Sequence, residues 1–226
     1  MTHSTQSANP YRDEKQCPTK RVSSLAGGGN FFGERYSSFI SNYLGLTADL
    51  IRSLEVLGPQ IADAARTIET ALRNERKIIF CGNGGSAADA QHLSAELMGR
   101  FLIDRSPMAA LSLTVDTSAL TAIGNDYGFD EVFARQLRGI ATTGDVVFGM
   151  STSGNSTNVV KAFEAARKIG VTTIGLTGQG GGRLAPLSDV LIAVPDSRTS
   201  HVQEAHITIG HIICAIVEEA LCSPKR

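Results

Sequence analysis

The sequence has almost no net charge and no dense block of basic residues. Its 21 Lys and Arg residues nearly balance 22 Asp and Glu residues, which leaves a formal charge of −1 at pH 7. A chain without a positive field does not attract the phosphate backbone of nucleic acid or an anionic membrane surface. We therefore expect neither nucleic acid nor a membrane among the partners of this protein.

Long apolar runs and paired cysteines are also missing. No apolar run approaches the ~20 residues that a membrane-spanning helix requires, and the chain shows no apolar signal segment. The four cysteines have no CxxC spacing, which is typical of a reducing compartment rather than of a disulfide framework. These absences predict a cytoplasmic protein. The cysteines are Cys17, Cys81, Cys214 and Cys222.

The length of 226 residues suits one sizeable α/β domain, because two domains would each have a thin core. Residues 1–34 are mostly polar and glycine-rich without an apolar period, which predicts a disordered leader or an expression tail ahead of a single domain at 35–226. From Tyr36 to Asn74, apolar residues recur at helical spacing. This pattern predicts two helices, with Pro59 at the start of the second.

Short β-branched runs alternate with helical stretches after Asn74. Such alternation predicts the α/β class, with a five-stranded, mostly parallel sheet flanked by helices in an α-β-α sandwich. Ligands of these sheets bind outside the carboxyl ends of the strands, near the point where the strand order reverses. The predicted strands cover residues 77–81, 109–114, 145–150, 171–176 and 190–194.

Two loops of similar construction follow the first and third of these runs, at residues 81–86 (CGNGGS) and 150–156 (MSTSGNS). Small and hydroxyl-bearing residues between a strand and a helix present backbone N–H groups and the positive end of a helix dipole, which bind anions. Neither loop fits GxGxxG or is followed by GKS or GKT, which argues against a dinucleotide or ATP. The pair predicts a site for a phosphorylated, polyhydroxylated small molecule. A plain tight turn and helix capping are the alternatives for the first and second loop.

His92 and Glu96 lie four residues apart on the helix predicted after the first loop, so their side chains share one face. An imidazole and a carboxylate at this spacing can ligate one metal ion or form an acid/base pair. The alternative is an ordinary surface pair. The helix starts at the ligand loop, and Leu93 and Leu97 can bury another stripe, which favours a polar site here.

The last predicted helix, at about residues 199–221, carries three histidines. His211 precedes apolar residues and is expected to be the most buried, although such a histidine is more often a core residue than a catalyst. Gln203 and His211 are separated by ~12 Å along a continuous helix axis, too far to hold one small ion easily. Either the helix is irregular near Gln203, or the site draws groups from more than one subunit. His201 and His206 are expected to be solvated or capping residues without a role.

Three further segments are rich in turn-forming residues. In residues 116–118 and 124–128 we expect turns, where Asn125 and Asp126 can either bind sugar hydroxyls or form Asx turns without a ligand. Residues 178–182 (GQGGG) are expected to be a flexible loop that only turns the chain.

Five segments together make the chain resemble the sugar isomerase (SIS) domain family, and their combination is far more specific than any one motif. Within that family the chain resembles the phosphoheptose isomerases, which convert sedoheptulose 7-phosphate to D-glycero-D-manno-heptose 7-phosphate, the first step of ADP/GDP-heptose precursor synthesis. The resemblance covers roughly residues 36–221. The segments are CGNGGSAADAQHLSAEL, TAIGNDYGF, STSGNSTNVVKA, LTGQGGG and VQEAHITIGHI.

The resemblance implies site residues by their match to the family motifs. A phosphate would be held by Ser151, Thr152, Ser153 and Ser156. Further substrate contacts would come from Asn83, Gly84, Gly85, Glu96, Asn125, Asp126 and Gln203. One zinc ion per subunit would be bound by His92, Glu96, Gln203 and His211. The family also implies a homotetramer with sites at subunit interfaces.

The implied reaction is an aldose–ketose isomerisation through an enediol, in which a proton moves between C1 and C2. Glu96 and His211 are the implied catalytic pair, and the sequence leaves open which of them is the base. One alternative is a non-catalytic SIS-domain regulator of the replication initiator, a branch that lacks the matching glutamate and terminal histidine. The other is an isomerase of a different sugar phosphate.

Overall fold

The computed structural model describes residues 31–222. Most of the predicted leader, residues 1–30, therefore lies outside the described residues, and residues 31–34 belong to helix α1 (Phe31–Ser53). The chain divides into two units, Met1–Ser41 and Asn42–Arg226. The described part of the first unit is the beginning of α1, and the features below belong to the second unit.

The two predicted N-terminal helices are confirmed. A 3₁₀ turn, Leu54–Leu57, separates α1 from α2 (Gly58–Arg73). Pro59 lies in the first turn of α2, where its missing N–H would have no partner within the helix in any case. The residues that α2 buries recur at helical spacing: Ile61, Ala64, Ala65, Ile68 and Ala71.

The second unit contains a five-stranded parallel sheet in the order β2-β1-β3-β4-β5. Each predicted strand is confirmed to within two residues. The order reverses between β1 and β3, which pair with Gly82 opposite Met150, so both predicted ligand loops leave the sheet at its topological switch point. The strands are β1 (Ile78–Gly82), β2 (Ala110–Ser112), β3 (Val146–Ser151), β4 (Thr172–Thr177) and β5 (Val190–Ala193).

Helices cover both faces of the sheet, which confirms the α-β-α sandwich. Side chains alternate along β1, so Ile78 and Phe80 join a core cluster with α2, α3 and α7. Ile79 and Cys81 point the other way into a second cluster with α5 and α6. The remaining helices are α3 (Gly85–Met98), α4 (Thr117–Tyr127), α5 (Val132–Ile140), α6 (Thr157–Ile169) and α7 (Thr199–Cys222).

Helix α7 is the one helix within the described residues that is long and apolar enough, by length and mean hydropathy, to cross a membrane. The expectation that no apolar run reaches this length was therefore wrong. The apolar residues of α7 pack into the first core cluster against the sheet, and the helix also buries His201, His206 and Glu218. An apolar stripe covered by a sheet, with ionisable groups buried beside it, is typical of a core helix.

Helix α4 occupies both segments that were expected to form turns. The turn prediction was wrong because a cap and a glycine mark the ends of a helix here. The Asp116 carboxylate accepts a hydrogen bond from the backbone N–H of Ala119 at 2.9 Å, and Gly128, with φ of +85°, ends the helix. Between them, Leu120 and Ile123 pack on the second core cluster.

The histidines of α7 are arranged in the opposite way to the expectation. His201 and His206 are fully buried, whereas His211 is only half-buried. His206 lies four residues after buried Val202 and three before buried Ile209, so helical geometry places it on the stripe that faces the sheet. The sequence pattern hid this, because a polar residue on a buried stripe looks like a gap in the stripe.

The burial of His206 predicts a pH-dependent stability. Burial lowers its pKa to about 4, partly offset by the backbone of Thr177. In the unfolded chain His206 has an ordinary histidine pKa of about 6.5. Between about pH 6.5 and pH 4, His206 therefore binds a proton in the unfolded chain but not in the folded protein. Stability therefore falls as the pH drops through this window, by about 3 kcal/mol in total.

We expect His206→Leu to remove the loss of stability that His206 causes at low pH. Denaturant unfolding at pH 7 and pH 4.5 measures the change. Ile209→Val on the same stripe is the control, since it should lower stability equally at both pH values. An unchanged pH dependence in His206→Leu would contradict the prediction.

Candidate active site

The first loop connects β1 to α3 through three glycines, two of which allow close approaches. Gly84 has φ of +56°, a conformation that favours glycine. A Cβ on Gly82 would lie 2.7 Å from the carbonyl oxygen of Ser86, and one on Gly85 would lie 2.6 Å from Nε2 of Gln203. The loop is thus a tight turn, and the side-chain amide of Gln203 from α7 packs against Gly85.

Asn83 joins the first loop to the helix that follows the second. Its amide donates to and accepts from the amide of Asn158, with N···O distances of 2.8 and 2.9 Å. Asn158 is buried in the first turn of α6. It also accepts the backbone N–H of Val159 at 3.0 Å, so this pair ties the first loop to the first turn of α6.

The second loop, residues 151–156, places its hydroxyl groups around the start of α6. The hydroxyls of Ser151 and Ser156 are hydrogen-bonded at 2.8 Å. Ser156 is the residue before the helix but makes no side-chain capping bond, so simple capping does not describe its hydroxyl. Ser153 accepts the backbone N–H of Asn155 at 3.1 Å, and Thr152 is half-buried. This is the kind of helix start that binds an anion.

The glycine loop at 178–182 packs against the second loop, so the expectation that it only turns the chain was wrong. The backbone N–H of Gly178 donates to the carbonyl of Thr152 at 3.0 Å. A Cβ on Gly154 would lie 2.1 Å from the carbonyl oxygen of Gly181, and one on Gly182 would lie 2.6 Å from that of Ser153. The glycines are needed because two backbones lie in direct contact.

The structure brings His92, Glu96 and His211 together from α3 and α7. Nε2 of His92 lies 3.1 Å from Oε1 of Glu96 and 2.9 Å from Nε2 of His211. Gly210 permits this meeting, because a Cβ there would lie 2.6 Å from Cδ1 of buried Leu93. The predicted burial of the Leu93 and Leu97 stripe is confirmed, and it leaves the polar pair beside the site.

The donor set of these three side chains fits a divalent metal ion. Two imidazole nitrogens and one carboxylate oxygen converge so that all ligand atoms lie within 4.8 Å of one another, and this is a donor combination that zinc uses. The His92 side chain is 47% exposed, so the group is open to solvent. A catalytic metal keeps such an open position for substrate.

Gln203 and the residues on α4 are placed differently. Helix α7 is continuous from Thr199 to Cys222, so the alternative of an irregular helix near Gln203 was wrong. The Gln203 amide lies against Gly85, and its role as a ligand stays a prediction. Asn125 donates to Asp126 at 2.8 Å on the exposed last turn of α4. No side-chain hydrogen bond among residues 31–222 joins these two to the loops.

Known proteins resemble this chain over most of its length. The SIS domain family matches residues 42–178. The phosphoheptose isomerase of Rhodospirillum rubrum is 54% identical over 176 residues, which cover 78% of this chain and 94% of that protein. That of Akkermansia muciniphila is 50% identical over 185 residues, which cover 82% and 98%. The chain belongs to the phosphoheptose isomerases of the SIS domain family.

Solved structures of phosphoheptose isomerases have the same fold. The enzyme of Neisseria gonorrhoeae superposes with a TM-score of 0.77 at 43% identity, covering 81% of this chain and 98% of that one. The enzyme of Francisella tularensis gives 0.76 at 34% identity, covering 80% and 97%. The α/β class and the single SIS domain follow from these likenesses.

The SIS motifs did not single out Asp89, which lies one turn before His92 on α3. Its Oδ2 is buried without a hydrogen-bond partner in the described part of the chain. Burial raises the pKa of Asp89 to about 6, and the charge of His92 works against that rise. The spacing of Asp89, His92 and Glu96 at i, i+3 and i+7 was the available signal, since it places all three on one side of the helix.

Proposed function

We propose that the protein converts sedoheptulose 7-phosphate to D-glycero-D-manno-heptose 7-phosphate, an aldose–ketose isomerisation that begins ADP/GDP-heptose precursor synthesis. The observation that carries the proposal is that His211 on α7 meets His92 and Glu96 on α3, the helix that starts at the first ligand loop. The identity to curated phosphoheptose isomerases over nearly their whole length supports it.

The phosphate group is held by the second loop and the start of α6. Backbone N–H groups there carry partial positive charge, and the loop adds hydroxyl donors. Anchoring this end positions C1 and C2 at the other end of the open-chain sugar. Sugar hydroxyls contact the first loop at Asn83, Gly84 and Gly85, together with Asn125, Asp126 and Gln203. The phosphate ligands are Ser151, Thr152, Ser153 and Ser156.

Glu96 and His211 carry the proton transfer. One of them removes the C1 proton of the ketose, the electron pair forms the C1–C2 double bond of the enediol, and a proton returns to C2. The hydroxyl on C1 loses its proton as that oxygen becomes the aldehyde, while the former carbonyl oxygen on C2 gains one. No electron acceptor is needed, since C1 is oxidised as C2 is reduced.

One zinc ion per subunit would be held by His92, Glu96, Gln203 and His211, with Gln203 and His211 of one site coming from different subunits because they lie ~12 Å apart along the continuous helix α7. When bound, zinc supplies Lewis-acid polarisation of the substrate carbonyl. Removal of metal with a chelator should lower turnover at least ~10²-fold, and added Zn²⁺ should restore it. A chelated, metal-free preparation with undiminished turnover would contradict this part of the proposal.

The protein acts in the cytoplasm as a homotetramer with its sites at subunit interfaces. Several large apolar side chains are exposed in the second unit, and burying them against other subunits would be favourable. Ile212 and Ile216, each 40% exposed, share one face of α7, and Ile212 directly follows His211, so an interface on this face would lie near the site. Light scattering on the full chain measures the assembly, and a monomer would contradict it.

Turnover of sedoheptulose 7-phosphate, followed by NMR of the sugar carbons, tests the function. Ribulose 5-phosphate and fructose 6-phosphate serve as shorter comparison substrates. We expect the heptulose to be preferred by kcat/KM. Preference for a shorter sugar would favour another sugar-phosphate isomerase. No turnover, together with retention of the replication initiator in a pull-down, would favour the regulator.

A further inference from the structure

The segment between α3 and β2 is fastened to α7 by one buried ion pair. Nε of Arg105 lies 3.0 Å from Oε1 of Glu218, and the two side chains are 5% and 1% exposed. Glu218 also accepts three consecutive backbone N–H groups, from Phe101 at 3.1 Å, Leu102 at 2.6 Å and Ile103 at 2.9 Å. A carboxylate with four donors can be buried as an ion.

The charge state of Glu218 agrees with this arrangement. Burial acts to raise its pKa, but the backbone N–H groups of Leu102, Phe101 and Ile103 and the charge of Arg105 outweigh burial and hold the pKa below its usual range. The Glu218 carboxylate is therefore ionised at neutral pH. Removing either partner would leave a buried charge alone.

Arg105 reaches the backbone of the site from the same position. Its Nη2 donates to the carbonyl of Glu96 at 2.9 Å, and its Nη1 donates to the carbonyls of Leu97 at 2.9 Å and Gly99 at 3.2 Å. The first two carbonyls belong to the last turn of α3 and the third to Gly99, the residue that caps it, where no further helical N–H groups are available to bind them. The end of the helix that carries Glu96 is thus fixed by this guanidinium.

The Arg105–Glu218 pair holds the backbone of Phe101, and the Phe101 side chain lies at the site. Its ring stacks on the imidazole of His211, with centroids 5.5 Å apart and an interplanar angle of 16°. His92 meets the same imidazole edge-on, with centroids 5.1 Å apart and planes at 71°. The imidazole of His211 is therefore held on one face by Phe101 while its Nε2 points to His92.

We propose that Phe101, held in place by the buried Arg105–Glu218 pair, is a positioning residue for His211. The inference rests on the proposed function for its kinetic consequence. A flat ring against the imidazole prevents it from turning about its last side-chain bond, so Nε2 stays directed at Glu96 and His92. Partners that orient a metal-binding or proton-transferring histidine contribute about 10–100-fold to affinity or activity.

The test compares Phe101→Leu with Phe101→Tyr in the full-length protein. Phe101→Leu should lower kcat about 10–100-fold with KM for sedoheptulose 7-phosphate changed less than about 3-fold, because the phosphate is held elsewhere. Phe101→Tyr keeps the stacked ring and should stay near the wild-type kcat. Phe133→Leu is the matched control, since it removes a buried ring from the opposite core cluster and should lower the melting temperature without changing kcat of the folded enzyme.

A second pair of variants separates positioning from stability. Arg105→Met combined with Glu218→Leu replaces the ion pair by apolar side chains and should recover much of the stability that either single change loses. We expect kcat of this double variant to be below that of the wild-type protein, because Glu218 no longer binds the backbone of residues 101–103. A double variant with native kcat would overturn the proposal, as would a Phe101→Leu enzyme with native kcat.

Two readouts do not depend on turnover. Phe101→Leu should weaken Zn²⁺ binding about 10-fold in a chelator competition and should move the ring-proton NMR signals of His211 downfield as the stacked ring is lost. If wild-type protein fails to turn over the heptulose but Phe101→Leu still shows both changes, the proposed function fails and the positioning role stands. If neither readout changes, the positioning role fails.

Discussion

Glu96→Gln is expected to lower kcat about 10³-fold or more while binding of sedoheptulose 7-phosphate remains measurable. Glutamine keeps the size and shape of the side chain but cannot accept or return a proton, and general acid–base catalysis contributes about 10²–10⁴-fold. The carboxylate also faces Nε2 of His92 at 3.1 Å, so its loss weakens the metal-binding group as well. The proposed phosphate ligands lie on a different loop, and binding should therefore persist.

Steady-state kinetics and calorimetric titration with the sugar phosphate measure the two effects separately. Glu219→Gln is the control, because Glu219 is exposed on α7 and its change should leave both quantities unchanged. A Glu96→Gln enzyme with a near-native rate would show that proton transfer lies elsewhere.

Gly154→Ala is expected to destabilise the protein by about 3 kcal/mol or more and to raise KM for the sugar phosphate at least ~10-fold. Gly154 has φ of +66°, and a Cβ there would lie 2.1 Å from the carbonyl oxygen of Gly181. Backbone strain and overpacking each cost about 1–3 kcal/mol. The atom in the way is main chain, which has no other rotamer to adopt, so the second loop itself must move.

Gly180→Ala separates the two causes. Gly180 has φ of +81° but nothing within 4 Å of a Cβ, so its replacement introduces the backbone strain without the clash. Thermal melting and KM of both variants measure the difference. Equal melting temperatures and equal KM values would show that the contact between the two loops does not shape the phosphate site.

Local patterns were enough to predict the sheet. Each strand is a short buried run flanked by turn residues, and the alternation with helices sets a parallel arrangement. The proximity of His92 and Glu96 also followed from helical spacing. The meeting with His211 could be expected only from the family resemblance, because a glycine in α7 and a leucine in α3 set the approach of the two helices.

Interactions between distant segments could not be predicted. The contact of Gly154 with Gly181 joins two loops whose own sequences describe only separate turns. Glu218 and Arg105 are 113 positions apart, and each alone resembles an ordinary surface charge. The prediction that His206 is solvated was wrong for a related reason, since a buried neutral histidine differs from a solvated one only in its surroundings.

The pairing of β1 with β3 sets the spacing between the two ends of the proposed site. Gly82 lies opposite Met150 in this pairing, so the loop of the proposed phosphate ligands and the loop before α3, which carries the proposed acid/base residue Glu96, emerge from adjacent strands. The reciprocal Asn83–Asn158 amide pair links the first loop to α6, the helix that follows the second loop. Under the proposed function, the central sheet would fix the distance between the phosphate ligands and the acid/base residues, and with it the length of sugar phosphate that can span them.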